Sequence, residues 1–295
     1  MHKQSLALIA GALFFISGSP VLAQDVKVEA QKLTDSIFMI TGQGGNIGLL
    51  TGKDGSFLID DQFAPLTPQI IEVVKSVGGD DPRFLVNTHF HGDHTGGNEN
   101  LGRQGTLILS HHAVRERLAK GSHIGAFSMT SKPAPEVALP KLTYAENLHL
   151  HINGETVHVI HTPAAHTDGD SFVIFEQANV LHTGDLMFNG FFPFIDAANG
   201  GSVRGMIDAA DTMLARTDDA SQIIPGHGPL ASRADLQAYR DMLATAYERL
   251  LELKNQGNSV QDAIAAEPLK DLEASWGGGI FDASRWIEII YPGVY

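Results

Sequence analysis

The chain reads as a mixed α/β protein with sheets inside and helices outside, and three observations predict this. Short apolar runs and longer amphipathic stretches alternate along its length. They do so in two similar halves. The polar residues best suited to chemistry fall just after the apolar runs, where sites collect in α/β folds. No low-complexity segment or linker divides the 295 residues, so residues 24–295 read as one domain.

In the first half, glycine-broken strands are expected at 37–40, 47–50 and 57–59. Ile70, Ile71, Val74 and Val77 share one face of a helix over 66–77. A buried strand at 84–86 runs into a histidine-rich loop, followed by a strand at 106–109 and a helix near 112–119. Residues 121–140 hold Gly121, Gly125, Pro133, Pro135 and Pro140 and read as an irregular loop. Strands resume at 149–152, 156–160, 171–175 and 180–182. A helix near 203–215, a strand at 222–224 and a long helix near 231–255 complete the second half.

The first 23 residues carry a different signal. Lys3 precedes an almost unbroken apolar run from Leu6 to Ile16, and Val21-Leu22-Ala23 suits a small-residue cleavage site. This is the pattern of a secretory signal peptide, with the mature chain starting at Gln24 in the periplasm or outside the cell. The run is too short to span a bilayer comfortably, so no membrane anchor is expected after cleavage. The formal net charge is −14, and cleavage removes one lysine and no acid to leave −15. Such a balance argues against a nucleic-acid partner, which needs clustered Lys and Arg. A small-molecule substrate is expected instead. There are no cysteines, so neither disulfides nor thiolate ligands are available; any metal must use Asp, Glu and the 14 histidines.

The strongest motif is Thr88-His89-Phe90-His91-Gly92-Asp93-His94. Alternate residues of an extended segment point the same way, so His89 and His91 can converge on one ion. Asp93 and His94 follow Gly92 and can turn toward a second. Four ligand-type residues at the end of an apolar strand are hard to explain as a surface cluster. Three weaker fragments follow later strands: His161 to Gly169 containing His166, His182-Thr183-Gly184-Asp185, and Pro225-Gly226-His227-Gly228. Any one alone reads equally well as a turn; their order, each after a strand, makes the set specific.

From about Leu33 to Leu253 the chain resembles the metallo-β-lactamase fold superfamily. Its His-x-His-x-Asp-His motif matches His89, His91, Asp93 and His94; its later ligands match His166, Asp185 and His227. The resemblance implies a four-layer αβ/βα sandwich with metals at one edge. It implies His89, His91 and His166 on one ion, Asp93, His94 and His227 on the other, and Asp185 bridging. It also implies a hydrolase, with two Zn2+ expected from a ligand set of imidazoles and carboxylates. Two such ions lower the pKa of a shared water and polarise a carbonyl, and Asp93 is the expected catalytic residue that orients the water. Di-iron redox relatives usually carry Glu where this chain has His91. Class B β-lactamases usually carry Cys or Ser near Asp185 and often a nearby Lys, where this chain has Leu186-Met187-Phe188-Asn189. Esters, thioesters and lactones are therefore expected ahead of β-lactams. The competing readings are an iron enzyme similar to persulfide dioxygenases, a non-catalytic metal-binding accessory protein, and a class B β-lactamase.

Other residues are expected in supporting roles. His111 and His112 read as groups near the site rim that support the ligands or lie on the surface, rather than as ligands, His123 as a loop residue, and His149, His151 and His158 as strand positions. His161, His182, Asp168 and Asp170 can support neighbouring ligands by hydrogen bonds. Phe188, Phe191, Phe192 and Phe194 read as core packing, with an apolar substrate wall as the alternative.

Overall fold

The computed structural model describes residues 26–295. The expected signal peptide at 1–23 lies outside the described residues. Among the described residues no helix is long and apolar enough to cross a membrane.

The first sheet has seven strands: β1 (Glu29–Lys32), β2 (Ile37–Thr41), β3 (Ile47–Leu50), β4 (Ser56–Ile59), β5 (Pro82–Asn87), β6 (Leu107–His111) and β9 (Leu142–Tyr144). Strands β1 to β4 pair antiparallel, and β4, β5, β6 and β9 pair parallel. The second sheet holds β10 (Asn147–Ile152), β11 (Glu155–His161), β12 (Ser171–Phe175), β13 (Val180–His182), β14 (Gln222–Ile224) and β15 (Ala231–Ser232). All its pairs are antiparallel except β13 with β14.

Side-chain alternation explains the layering. In β2, Ile37 and Met39 point one way and meet Val157, Val159, Val173 and Phe175 of the second sheet. Phe38 and Ile40 point the other way and join Ile70 and Val74 of α1 (Thr67–Ser76) and Leu101, which lies in α3 (Asn98–Arg103) after the short α2 (Gly92–Thr95). The second sheet repeats the device. Phe172, Leu181 and Ile223 face outward into a cluster with Met206, Met213, Leu236 and Leu243. Those residues belong to α5 (Val203–Leu214) and α6 (Arg233–Asn255), which follow α4 (His112–Lys120). Three apolar seams thus separate four layers, helix–sheet–sheet–helix, and strands buried on both faces read as continuous apolar runs. The expected αβ/βα sandwich is what forms.

Two regions differ from the sequence reading. Residues 121–140 are not irregular throughout: β7 (Ser122–Ile124) and β8 (Met129–Ser131) form an antiparallel hairpin. Strands of three residues are too short to show a period, and the turn relies on Ser128 at φ 52. Beyond α6 the chain forms α7 (Val260–Ala265), α8 (Lys270–Trp276) and α9 (Ala283–Ile290). These pack on the second sheet's outer layer, with Trp286 fully buried and stacked on Phe192 at 4.6 Å.

Candidate metal centre

Strand β5 delivers Asn87 and Thr88 into the interior, and the chain stays extended through His91, which caps α2 at φ −65, ψ 148. His89 and His91 therefore turn to one place, while the single turn of α2 swings Asp93 and His94 to its neighbour. His166 sits on the loop after β11, Asp185 on the turn after β13 and His227 on the loop after β14. All seven residues predicted from sequence come together. They form two groups, His89, His91, His166 and Asp185, and Asp93, His94 and His227, with the offered atoms of each group within 4.8 Å of one another. Asp185 also reaches the second group: its Oδ1 is 3.0 Å from His94 Nε2 and its Oδ2 is 3.4 Å from His227 Nε2. Asp93 Oδ2 lies 3.2 Å from His227 Nε2. Five of the seven are buried; Asp93 and His227 keep side-chain exposures of 27% and 24% and form the open side.

The far nitrogen of most imidazoles is held by an acceptor. His166 Nδ1 donates to the Phe194 carbonyl at 2.8 Å, and His91 Nε2 donates to Asp196 Oδ2 at 3.1 Å. His94 Nδ1 donates to Asp60 Oδ2 at 2.8 Å. The Thr88 hydroxyl also donates to Asp60 Oδ2 and so accepts from His89 Nδ1 at 3.1 Å. Each proton is thereby kept on the far side, and a lone pair faces the centre. His166 Nε2 and His91 Nδ1 then confront each other at 2.9 Å, two lone pairs that repel unless a cation lies between them. His89 Nε2 and Asp185 Oδ1 are buried without a hydrogen-bond partner. A cluster of buried acceptors with no donor fits metal ions and little else.

The electrostatics agree. Burial favours the neutral form of His94, but the Asp185, Asp93 and Asp60 carboxylates overcome it and raise its pKa well above normal. Burial likewise opposes charge on His227, yet Asp185 and Asp93 push it up to about 9. Asp185 is held well below the usual range: burial raises it, and His94, His227, His89 and His166 outweigh that. His166, dominated by burial, falls to about 4. The carboxylates demand positive charge here, a demand that dications meet.

Glycines let the backbone pass close. A Cβ on Gly45 would lie 2.1 Å from the His94 ring, and one on Gly226 would lie 2.1 Å from Asp185 Oδ1.

Several partners were not singled out by the sequence. Asp60 directly follows strand β4 with a carboxylate, the same position after a strand that marks His89. Asp196 sits 105 residues from His91 in an aperiodic segment and carries no local signal. Asn46 clamps the His227 loop through the Pro225 and Gly228 carbonyls. Of the expected supporters, Asp170 accepts the His166 and Thr167 backbone N–H groups, and Asp168 pairs with Arg117. His182 Nε2 donates to the Asn46 carbonyl. His161 stacks on His111 at 3.7 Å, apart from both groups, and His111 is buried rather than on a surface. His123 is an exposed hairpin residue, and His149 and His158 touch on the second sheet. The phenylalanines divide. Phe192 is core; Phe188 stacks on His227 at 5.1 Å and Phe194 on His91 at 5.7 Å, so these two wall the centre.

Two clusters of imidazoles and carboxylates gathered at strand ends are the arrangement of a metal-binding site. A Metallo-beta-lactamase superfamily model matches residues 40–227, and the chain belongs to that superfamily. It is 24% identical over 217 residues to Beta-lactamase-like protein 2 homolog of Caenorhabditis elegans, covering 69% of this chain and 65% of that protein. The chain thus spans just under two thirds of that relative's length. Over 229 residues it is 22% identical to the human (Homo sapiens) protein Acyl-coenzyme A thioesterase MBLAC2, covering 67% of this chain and 80% of the relative. Among solved structures, a metallo-beta-lactamase from Pontibacter korlensis superposes with a TM-score of 0.61 at 20% identity, covering 74% of this chain and 99% of the other.

Proposed function

We propose that the chain is an exported dinuclear zinc hydrolase of small carbonyl substrates: esters, thioesters or lactones with an apolar portion. The observation that carries this is the pair of ligand groups joined through Asp185, whose two oxygens face His94 on one side and His166 and His227 on the other. His89, His91 and His166 would hold one ion and Asp93, His94 and His227 the second, with Asp185 within reach of both groups. Zinc in these positions supplies Lewis acidity, for a water and for the carbonyl oxygen. Asp93, on the open side, orients the attacking water and takes up its proton. Asp185 offsets the mutual repulsion of two dications. Phe188 and Phe194, buried against the His227 and His91 rings, keep water from that side of the centre and make it apolar.

The thioester reading draws support from the MBLAC2 likeness. A mononuclear iron oxygenase leaves Asp93, His94 and His227 without a task. A class B β-lactamase is disfavoured by Asp185 and by Leu186 to Asn189, the segment in which those enzymes often carry a Lys and this chain has none. Export rests on the apolar run of Leu6 to Ile16 and the Val21-Leu22-Ala23 site. N-terminal sequencing of the exported protein should start near Gln24; recovery of residues before Ala23 would contradict it.

The test is a hydrolysis panel on purified protein as isolated, with kcat/KM for simple esters, thioesters and lactones set against a penicillin and a carbapenem. Carbonyl esters or thioesters should lead, and a chelator should abolish turnover. A β-lactam preference of several orders of magnitude would make the chain a working β-lactamase. A metal-loaded protein that hydrolyses nothing would make it an accessory binder.

A further inference from the structure

A cavity of about 60 Å³ lies beside the metal centre, beneath the β7–β8 hairpin. Phe90, His91 and Arg117 line it together with Ser122, Ser131 and Lys132 of the hairpin region. The volume suits a few water molecules or one carboxylate-sized group. The hairpin's alternation makes this lining. Ser122 pairs directly across from Ser131, so their side chains share a face, with Ile124 two residues on. His123 and Thr130 take the opposite face and bond each other at 2.9 Å.

The polar groups differ in how they are committed. Arg117 is engaged by both oxygens of Asp168 and by the Asn199 side chain, so its charge is matched. Nearby Lys120 pairs with Glu116, and Lys141 with Glu136. Lys132 has no ion pair among the described residues, and no side-chain hydrogen bond to the Ser122 or Ser131 hydroxyls is found there. One exposed, unmatched cation and two uncommitted hydroxyls therefore line a cavity that the metal-centre residue His91 also lines. This is the donor set of a small-anion subsite.

We propose that this cavity binds a carboxylate of the substrate, with Lys132 as its cation and Ser122 and Ser131 as hydroxyl donors. The substrate class is thereby narrowed to short esters or thioesters bearing a second, anionic end. The anionic end anchors under the hairpin while the scissile carbonyl lies toward Asp93 and His227. This assignment rests on the hydrolase reading for its reaction, but not for its binding.

The experiment compares mono(4-nitrophenyl) glutarate with neutral 4-nitrophenyl pentanoate, and titrates glutarate calorimetrically into the metal-loaded protein. Wild type is set against Lys132→Ala, Lys132→Arg and, as a control for net charge, Lys53→Ala in an exposed turn. Lys132→Ala should lose about tenfold in kcat/KM on the glutarate half-ester and about tenfold in glutarate affinity, as for one charge-assisted hydrogen bond. The pentanoate should change by less than about twofold, Lys132→Arg should keep most of the preference, and Lys53→Ala should behave as wild type. Equal losses on both esters, or no loss on the anionic one, would overturn the subsite. Should neither ester be cleaved, the hydrolase reading fails and the titration decides alone: glutarate binding lost in Lys132→Ala upholds the subsite, and equal binding overturns it.

Discussion

Asp60→Asn is the most informative single change, because one buried carboxylate serves both ligand groups. Asp60 accepts from Thr88 N at 2.8 Å, Thr88 Oγ1 at 2.7 Å and His94 Nδ1 at 2.8 Å. It sits at φ 62, a conformation that Asn tolerates better than Ala, so the backbone keeps its shape. The amide has one oxygen and one NH2. With its oxygen kept on Thr88 N, the NH2 meets two donors. Thr88 must then reverse its hydroxyl, which moves the His89 proton to Nε2, and His94 must shift its own proton in the same way. A lone pair is lost from each ligand group. Loss of an outer partner of a metal-binding imidazole typically costs about 10–100-fold in affinity, or about 1.4–2.7 kcal/mol. Both zinc affinities should fall by that factor, read by competition with a chromophoric chelator, while circular dichroism stays native. Affinities unchanged within about twofold would refute the argument that Asp60 sets the tautomers.

Other outcomes follow from the same geometry. Asp93→Ala and Asp185→Ala should each lower kcat by roughly 10²–10⁴-fold, with Asp185→Ala weakening one ion more than the other; near-normal turnover at full occupancy in Asp185→Ala would remove the bridge. Phe192→Ala deletes a fully buried ring stacked on Trp286 and should cost about 3–5 kcal/mol in denaturant unfolding; a loss under about 1 kcal/mol would show that the site collapses freely. Burial, with His161 and His112 beside it, lowers His111 from 6.5 to about 4. Between those pH values the unfolded chain binds the proton and the folded chain does not, so this contribution is complete above pH 6.5 and is lost as pH falls toward 4. His111→Phe should have a shallower loss of stability over that window than wild type; identical slopes would contradict this.

The sandwich was legible because its strands are buried on both faces or alternate cleanly, and because α1 and α5 carry regular apolar stripes. All seven residues of the centre were legible because each follows a strand, where the fold gathers loops. What escaped depends on partners distant in sequence. Nothing local marks Asp196 as the acceptor for His91, and Asn46 bonds Pro225 across 179 residues. Asp60 was readable in principle, since its position directly after an apolar strand is the signal already used for His89. The hairpin escaped because three-residue strands show no period. The short helix α7 left only its capping box, Ser259 with Asp262, whereas α9 was readable in principle from its Asp282 cap and the apolar stripe of Trp286, Ile287 and Ile290.

The central claim is that two metal ions share Asp185, and elemental analysis of the purified mature protein tests it most directly. The account predicts close to two ions per chain, predominantly zinc, falling toward one in Asp185→Ala. A single tightly bound iron would contradict it and favour the oxygenase.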